Sequence, residues 1–251
     1  MSFLRKLLSK PVIAYLPVRV RGGIADGARW TLFPWTSYWR GTHEPIAQMR
    51  ILSLQSDWTG LHVWDLGSHY GLYSIGFGRH VGPTGSVASF EPNQLSYARL
   101  VCHVQRNALS HAKPFPWAVS DNEGLKYMVF YDGMETTTSH LAYENETWNE
   151  SIETKDVPTV RLDELVHSGQ INPPDFVKVD IEGHGHKALA GAAVTIAKCR
   201  PILMISMHSE HEIAGVRKIL TPLHYKITSV LPGAPKTPTC GYDYIFEPLS
   251  V

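Results

Sequence analysis

Three short stretches of this 251-residue chain have the residue types and spacing for chemistry. The first is VWDLGSHYGLYS, residues 63–74, with Asp65, Gly67, Ser68, His69 and Gly71. An apolar strand ends here in a turn at Gly67, where a missing side chain permits left-handed backbone and close approach of a ligand. A helix follows from about Gly71, and the first N–H groups of a helix have no partner inside it. The carboxyl end of the first strand is where open α/β sheets bind nucleotides. Neither the dinucleotide pattern GxGxxG nor a phosphate loop ending in GK[ST] is met. D-x-G-x-x-x-G suits a nucleoside that lacks a pyrophosphate and carries a charged amino-acid tail. The second stretch is SVASFEP, where Glu91 ends the next strand. A carboxylate at that place accepts hydrogen bonds from both ribose hydroxyls; otherwise it is a solvated strand end. The third is KVDIEGHGH, with Asp180, Glu182, His184 and His186, joined by His208 at the end of the following strand. Asp180 and Glu182 alternate, so their side chains start on opposite faces unless the strand has ended. Two carboxylates and imidazoles can form a general base for a hydroxyl, or an oxygen/nitrogen site for a divalent metal. An imidazole titrating near neutrality suits removal of an alcohol proton. The chain has 13 histidines, so some clustering is expected, and Asp180 can also cap the helix that begins near His186.

Strand ends and turns must hold these groups. From residue 61, short apolar runs alternate with helical stretches. LHVWDLG, SVASFEP, KPFPWAVS, DFVKVDIEG and PILMISMH read as five strands. Residues 71–80, QLSYARLVCHVQRNAL, GHKALAGAAVTIAKC and HEIAGVRKILTPL read as helices, with apolar residues recurring at three and four. HYKITSVL and YDYIFEP are two more strands joined by LPGAPKTPTCG, with no helix between, which predicts an antiparallel strand at the end. The alternation predicts an α/β fold, a mostly parallel sheet with helices on both faces. An insertion at about 121–160 holds two strand-like runs, LKYMVFYD and VPTVRLDEL, around a polar loop, GMETTTSHLAYENETWNES. The chain divides into an aromatic-rich cap, residues 1–60, and a ligand-binding domain, residues 61–251. The cap carries Trp30, Phe33, Trp35, Tyr38, Trp39 and Trp58 and ends in a helix over about 45–55. Its aromatics serve packing, or a lid over an acceptor.

Composition narrows the function classes. Formal net charge is zero, which gives no general attraction to nucleic acid or anionic membrane, though it permits a local patch. The 43% hydrophobic and 18% charged content is that of a folded globular chain. Cys102, Cys199 and Cys240 are sparse, odd in number and without a CxxC pair, so neither a disulfide framework nor a structural zinc site is expected. A reducing, cytoplasmic setting follows. In MSFLRKLLSKPVIAYLPVRV, Arg5, Lys6 and Lys10 interrupt the apolar residues and Pro11 and Pro17 break them further, so neither a signal nor a span is expected, and a short docking helix is favoured over a membrane-surface anchor. Asn172-Pro173-Pro174 is close to an adenine-methylation motif but precedes its strand rather than following it; prolines there start a strand. No nucleic-acid partner is expected, and no pattern specifies an oligomeric state.

DLGSHYGLYS, FEPNQLSYARL with Asn107, AVSDNEG, TVRLDEL, DFVKVDIEGHGHKALAGA and a proline-led strand together resemble the FkbM family of methyltransferases, over roughly residues 40–225. The resemblance implies a Rossmann-like class I methyltransferase fold with a seven-stranded sheet. It implies S-adenosyl-L-methionine (SAM) as donor and O-methylation of a small-molecule acceptor such as a sugar or secondary metabolite; from the residues themselves, a divalent metal is not expected beside it. By the same resemblance Asp65, Gly67, Ser68, His69 and Gly71 line the methionine part, Glu91 holds the ribose, Ser120 and Asp121 sit near the adenine, and Glu44 reaches the amino group. Asp180, His208, Glu182 and His184 are the candidate catalytic residues. His69 replaces the family's usual small or amide residue, and an acid often found in the fifth strand is replaced around Ser206. Two other functions fit the residues: a nicotinamide-dependent oxidoreductase, disfavoured by the missing GxGxxG, and a catalytically silent SAM-binding module, which need not keep the Asp180–His208 region.

Overall fold

The computed structural model describes residues 16–33, 36–130, 140–142 and 153–249. The basic N-terminal stretch up to residue 15, Trp35 and most of the 133–151 loop lie outside the described residues. The apolar runs form the strands expected of them: β3 (His62–Leu66), β4 (Ser86–Phe90), β5 (Ala112–Phe115), β10 (Phe176–Val179), β11 (Ile202–Met207), β12 (Tyr225–Ser229) and β13 (Tyr242–Pro248). They make one seven-stranded sheet of order β12-β13-β11-β10-β3-β4-β5. All neighbours are parallel except β13, which is antiparallel to both β11 and β12.

Successive side chains point to opposite faces, and this splits the interior into two cores. Val63, Val87, Phe176, Met204 and Ile245 face one core; Trp64, Ala88, Val177, Leu203 and Phe246 face the other. On the first face α2 (Leu72–Val81) and α3 (Gln94–Arg106) pack, together with the N-terminal region: a hairpin of β1 (Pro17–Arg19) and β2 (Arg29–Thr31), and α1 (Pro45–Leu52). Trp30, Phe33, Ile51 and Trp58 share this core with Val63 and Phe176, so the aromatic cap and the sheet bury one continuous surface. Trp30 stacks on His103 at 3.7 Å, and His103 accepts from the Thr31 N–H, which ties β2 to α3. The second face carries α4 (Leu162–His167), α5 (Gly185–Ala190), α6 (Ala193–Cys199) and α7 (Glu210–Leu220). Asn93 caps α3 by accepting from Leu95 and Ser96, and Ser209 caps α7 by accepting from Glu212.

Three expectations need correction. KPFPWAVS is two strands: after β5 the chain leaves the main sheet at Pro116, and β6 (Ala118–Val119) pairs with β9 (Glu153–Val160) in a second sheet. That sheet, of order β6-β9-β7-β8, is the insertion; β7 is Gly124–Phe130 and β8 His140–Leu141. VPTVRLDEL is strand only to Val160, and its LDEL opens α4. GHKALAGAAVTIAKC breaks into α5 and α6 at Gly191. A methyl there would lie 2.0 Å from the Ser120 carbonyl oxygen, so this glycine lets the helix pair press on the end of β6. Gly191→Ala is therefore expected to lower stability by about 1–3 kcal/mol, as overpacking against fixed backbone does. Urea unfolding measures it, and a change below about 0.5 kcal/mol would mean the contact relaxes freely.

Candidate active site

The order of the main sheet reverses direction at β3, which has β4 on one side and β10 on the other; ligands of open α/β sheets bind at that switch, beyond the carboxyl strand ends. A cavity of about 310 Å³ opens there. Its wall holds Gly67, His69, Glu91, Asp180, Glu182 and His208 from the three motifs.

Gly67 has φ 85°, and a methyl on it would fall 1.9 Å from the Asp180 carbonyl oxygen. The glycine thus brings the ends of β3 and β10 together as well as shaping the turn. Gly71, φ 90°, caps the start of α2 and, against the ligand role expected of it, stands outside the cavity wall. His69 between them also has positive φ, 47°. That conformation aims its N–H at Glu91 Oε2, 2.7 Å away, while its ring stacks on Tyr70 at 3.8 Å. His69 Nδ1 pairs with the Tyr38 hydroxyl at 2.9 Å, and Nε2 is buried with no partner. Burial pushes this imidazole down to about 3, so it is neutral. Glu91 Oε1 accepts the Asn93 N–H at 2.8 Å. Burial pushes the Glu91 carboxyl up to about 7 against the pull of its two backbone donors. Each oxygen accepts one N–H and keeps a lone pair for a ligand.

Some expected ligands lie elsewhere. Asp65 is 1% exposed and stands outside the cavity wall, its carboxylate accepting from Ser74 while Ser68 Oγ donates to its carbonyl at 2.7 Å. It fastens the start of α2 under the turn. Ser120 and Asp121 also stand behind the wall. Ser120 Oγ pairs with His184 Nε2 at 3.0 Å and accepts from Lys126 at 3.0 Å; Asp121 pairs with Lys187 at 3.1 Å. Trp117, Ala118 and Val119 line this end instead, opposite Met128 and Leu141. The apolar triplet WAV reads as strand interior until Pro116 is seen to redirect the chain. His184 does line the cavity, but its partner is Ser120, and burial pushes it down to about 3. It stands apart from the Asp180–His208 pair.

β10 ends at Val179, so the alternation of faces stops before Asp180, and Glu182 takes φ 50°. Both carboxylates thereby reach His208: Asp180 Oδ1 is 3.2 Å from Nε2, and Glu182 Oε2 is 3.3 Å from Nδ1. The His208 N–H donates to the buried Glu212 at 2.8 Å, and Glu212 also accepts from Gly185. Burial pulls His208 down, but the hydrogen bond and charge of Asp180, with Glu182 and Glu212, outweigh it and raise it to about 9. The expectation of a near-neutral imidazole is corrected accordingly, since two carboxylates clamp the charged form. Asp180, Glu182 and His208 place ligand atoms within 4.8 Å of one another, the donor set of a hard divalent cation.

Sequence reasoning missed Lys178. It is 2% exposed, its Nζ 2.8 Å from Asp180 Oδ2 and 4.6 Å from the Tyr73 ring centre. In the β3–β10 register it stands opposite Asp65. Tyr73 in turn donates to Glu44 Oε2 at 2.8 Å, and Glu44 lies 3.4 Å from His43. Burial raises the Glu44 carboxyl, but the His43 hydrogen bond and the Lys178 charge outweigh it and hold it below its usual value. Asp243, on β13 and in the wall, is pushed up by burial. A lysine inside the apolar run FVKV was the one signal in the sequence for this charge network.

Strand order, switch-point cavity and terminal antiparallel strand define a Rossmann-like fold of the class I methyltransferase type. The family model of the methyltransferase FkbM domain matches residues 65–244, and the chain belongs to that family. Hexuronic acid methyltransferase AglP of Haloferax volcanii is 28% identical over 160 residues, 63% of this chain and 61% of that protein. The crystal structure of methyltransferase FkbM from Methylobacillus flagellatus superposes with a TM-score of 0.53 at 18% identity, covering 76% of this chain and 44% of that one. The chain therefore spans less than two thirds of the length of either relative.

Proposed function

We propose that the protein is a SAM-dependent O-methyltransferase that acts on a hydroxyl of a small molecule, a sugar or related metabolite. The carrying observation is that Glu91, at the end of β4, and the Asp180–His208 pair, at the ends of β10 and β11 on the other side of β3, line one cavity. The residues fit the donor. Glu91 keeps free lone pairs for ribose hydroxyls, and the unpartnered His69 Nε2 is a buried polar atom without a use in the fold. Trp117 and Val119 offer the adenine an apolar slot, and Glu44 offers its carboxylate to an ammonium group. SAM, when bound, supplies the methyl group. The chain's own residues then orient the acceptor oxygen and take its proton: unprotonated His208 accepts it, and Asp180 and Glu182 stabilise the imidazolium that results. The sugar reading is supported by the hexuronic acid relative. A small-molecule acceptor rather than nucleic acid agrees with zero net charge, and a cytoplasmic setting with the three free cysteines. Among the described residues no helix is long and apolar enough to cross a membrane.

Calorimetry with S-adenosylhomocysteine tests the donor. Micromolar binding is expected, on the order of 7–9 kcal/mol. Glu91→Ala should weaken it by about tenfold or more, since hydrogen bonds to a charged acceptor are worth roughly 1.5–3 kcal/mol each. Binding should also tighten as pH rises through about 7, because ribose donors favour the ionised Glu91. A well-folded sample that ignores millimolar ligand sinks the proposal; unchanged affinity in the variant removes Glu91 from ribose recognition.

A further inference from the structure

Away from the cavity, four arginines converge on one surface depression: Arg19 of β1, Arg29 of β2, Arg79 in the last turn of α2 and Arg106 in the last turn of α3. Gly27 and Asn107 complete its floor. α2 and α3 both start at the active-site crevice and carry these arginines to their far ends, so the depression lies roughly 12–18 Å away at 1.5 Å per residue. In a chain of zero net charge this is a local excess, not a general basic bias. Among the described residues no carboxylate pairs with any of the four.

The helix dipole explains two of them, since cations are favoured in the last turn of a helix. It does not explain the other two. Arg19 stands directly opposite Arg29 in the antiparallel β1–β2 register, where like charges repel. Three of the side chains are also held in place, and the fourth arginine by its backbone. Arg19 Nη1 donates to the Gly27 carbonyl at 2.8 Å, Arg79 Nη2 to the Asp26 carbonyl at 3.0 Å, and Arg106 Nη1 to Thr31 Oγ1 at 2.7 Å. Asn107 grips both backbone groups of Arg29 at 2.8 Å. Each anchored guanidinium spends one of its five donors on these contacts and keeps the rest. Convergent guanidinium forks, three of them pre-positioned, match the oxygens of a phosphate.

We propose that the Arg19–Arg29–Arg79–Arg106 cluster is a binding site for a phosphate-bearing ligand, separate from the methyl-transfer site. The phosphate belongs to a soluble phosphorylated molecule or to a lipid headgroup, and both use the same chemistry. The test titrates the whole protein with inorganic pyrophosphate at low salt, by calorimetry and by melting temperature. Saturable binding and a raised melting temperature are expected. Arg19→Gln with Arg29→Gln should weaken binding by about tenfold or more through the loss of two charge-assisted partners. Without ligand, that variant should melt no lower than the parent, because it removes a like-charge pair. Arg217→Gln, on α7, should change nothing. Sedimentation with phosphatidylcholine vesicles, with and without phosphatidylglycerol, separates the sources: binding to the anionic vesicles alone assigns a lipid headgroup, and binding to neither assigns a soluble phosphate once pyrophosphate binds. No saturable pyrophosphate binding at millimolar concentration, or equal binding by the double variant, overturns the proposal.

Discussion

Lys178→Met is expected to lower folding stability by about 3–5 kcal/mol, the usual cost of removing one partner from a buried ion pair. The ammonium is 2% exposed and sits 2.8 Å from Asp180, opposite Asp65 in register and close enough to Glu44 to depress its carboxyl. Methionine fills much of the same volume but leaves these carboxylates without that cation. The pH dependence has a defined sign. Burial opposes charge on both partners, yet mutual attraction wins, so Lys178 is raised above its usual value and Asp180 is held far below its own. Stability from the depressed Asp180 is present above the ordinary carboxylate range and lost as pH falls toward its folded value. Stability from Lys178 is present below the ordinary lysine range and lost as pH rises through its raised one. The deficit of the variant should therefore be widest across neutral pH and shrink in acid. Chemical denaturation at pH 7 and pH 2 reads it. Adding Asp180→Leu to Lys178→Met should recover part of the loss, since a buried pair replaced whole by apolar residues is often neutral. A single variant within about 1 kcal/mol of the parent at pH 7 would mean that water solvates this group.

The same lysine shows where sequence reading stops. The turn glycines Gly67 and Gly71 and the strand end before Glu91 were legible as local structure, because each depends on a strand end and the turn after it; Gly71, like Asp65, stands outside the cavity wall. The main-sheet strands were legible for a similar reason: a run of four to six apolar residues buried on both faces has few alternatives. Lys178 depends instead on the β3–β10 register, which no spacing along the chain reveals. Asp65 carried a pattern shared with ligand-binding acids, yet the register and Ser74 turn its carboxylate into the fold. Ser120 and Asp121 followed a strand that was read as one piece; the turn at Pro116 moves the cavity wall back to Trp117–Val119. His184 and His208 looked alike in sequence. Their neighbours separate them: burial and the nearby Lys126 charge keep one neutral, and two carboxylates keep the other charged.

Asp180→Asn and His208→Ala should each cut turnover by about a hundredfold or more, the size of effect expected for general acid–base groups. S-adenosylhomocysteine affinity should change little, because neither side chain is among the groups proposed for ribose or adenine. Asparagine keeps an oxygen for Lys178, so the Asp180 variant should stay folded, and its melting temperature checks that. The parent enzyme adds a readout that a structural role would not move. His208 faces Asp180 and Glu182 beyond β10 and Glu212 on α7, with Lys178 behind Asp180, and the balance raises it to about 9. Only the unprotonated ring accepts a proton, so kcat/KM should rise about tenfold per pH unit above neutrality and level off near 9. His208→Ala should flatten that rise. The three side chains also offer a cation site, and a chelator separates the two uses. In the structure the ring bridges the carboxylates, one nitrogen to each, which serves a proton without a metal. Activity is thus expected to survive EDTA. Activity lost with EDTA and restored by magnesium would make Asp180, Glu182 and His208 ligands instead. A profile flat from pH 7 to 9 in the parent would remove His208 as the base, because a group that must first lose its proton cannot work equally well with and without it.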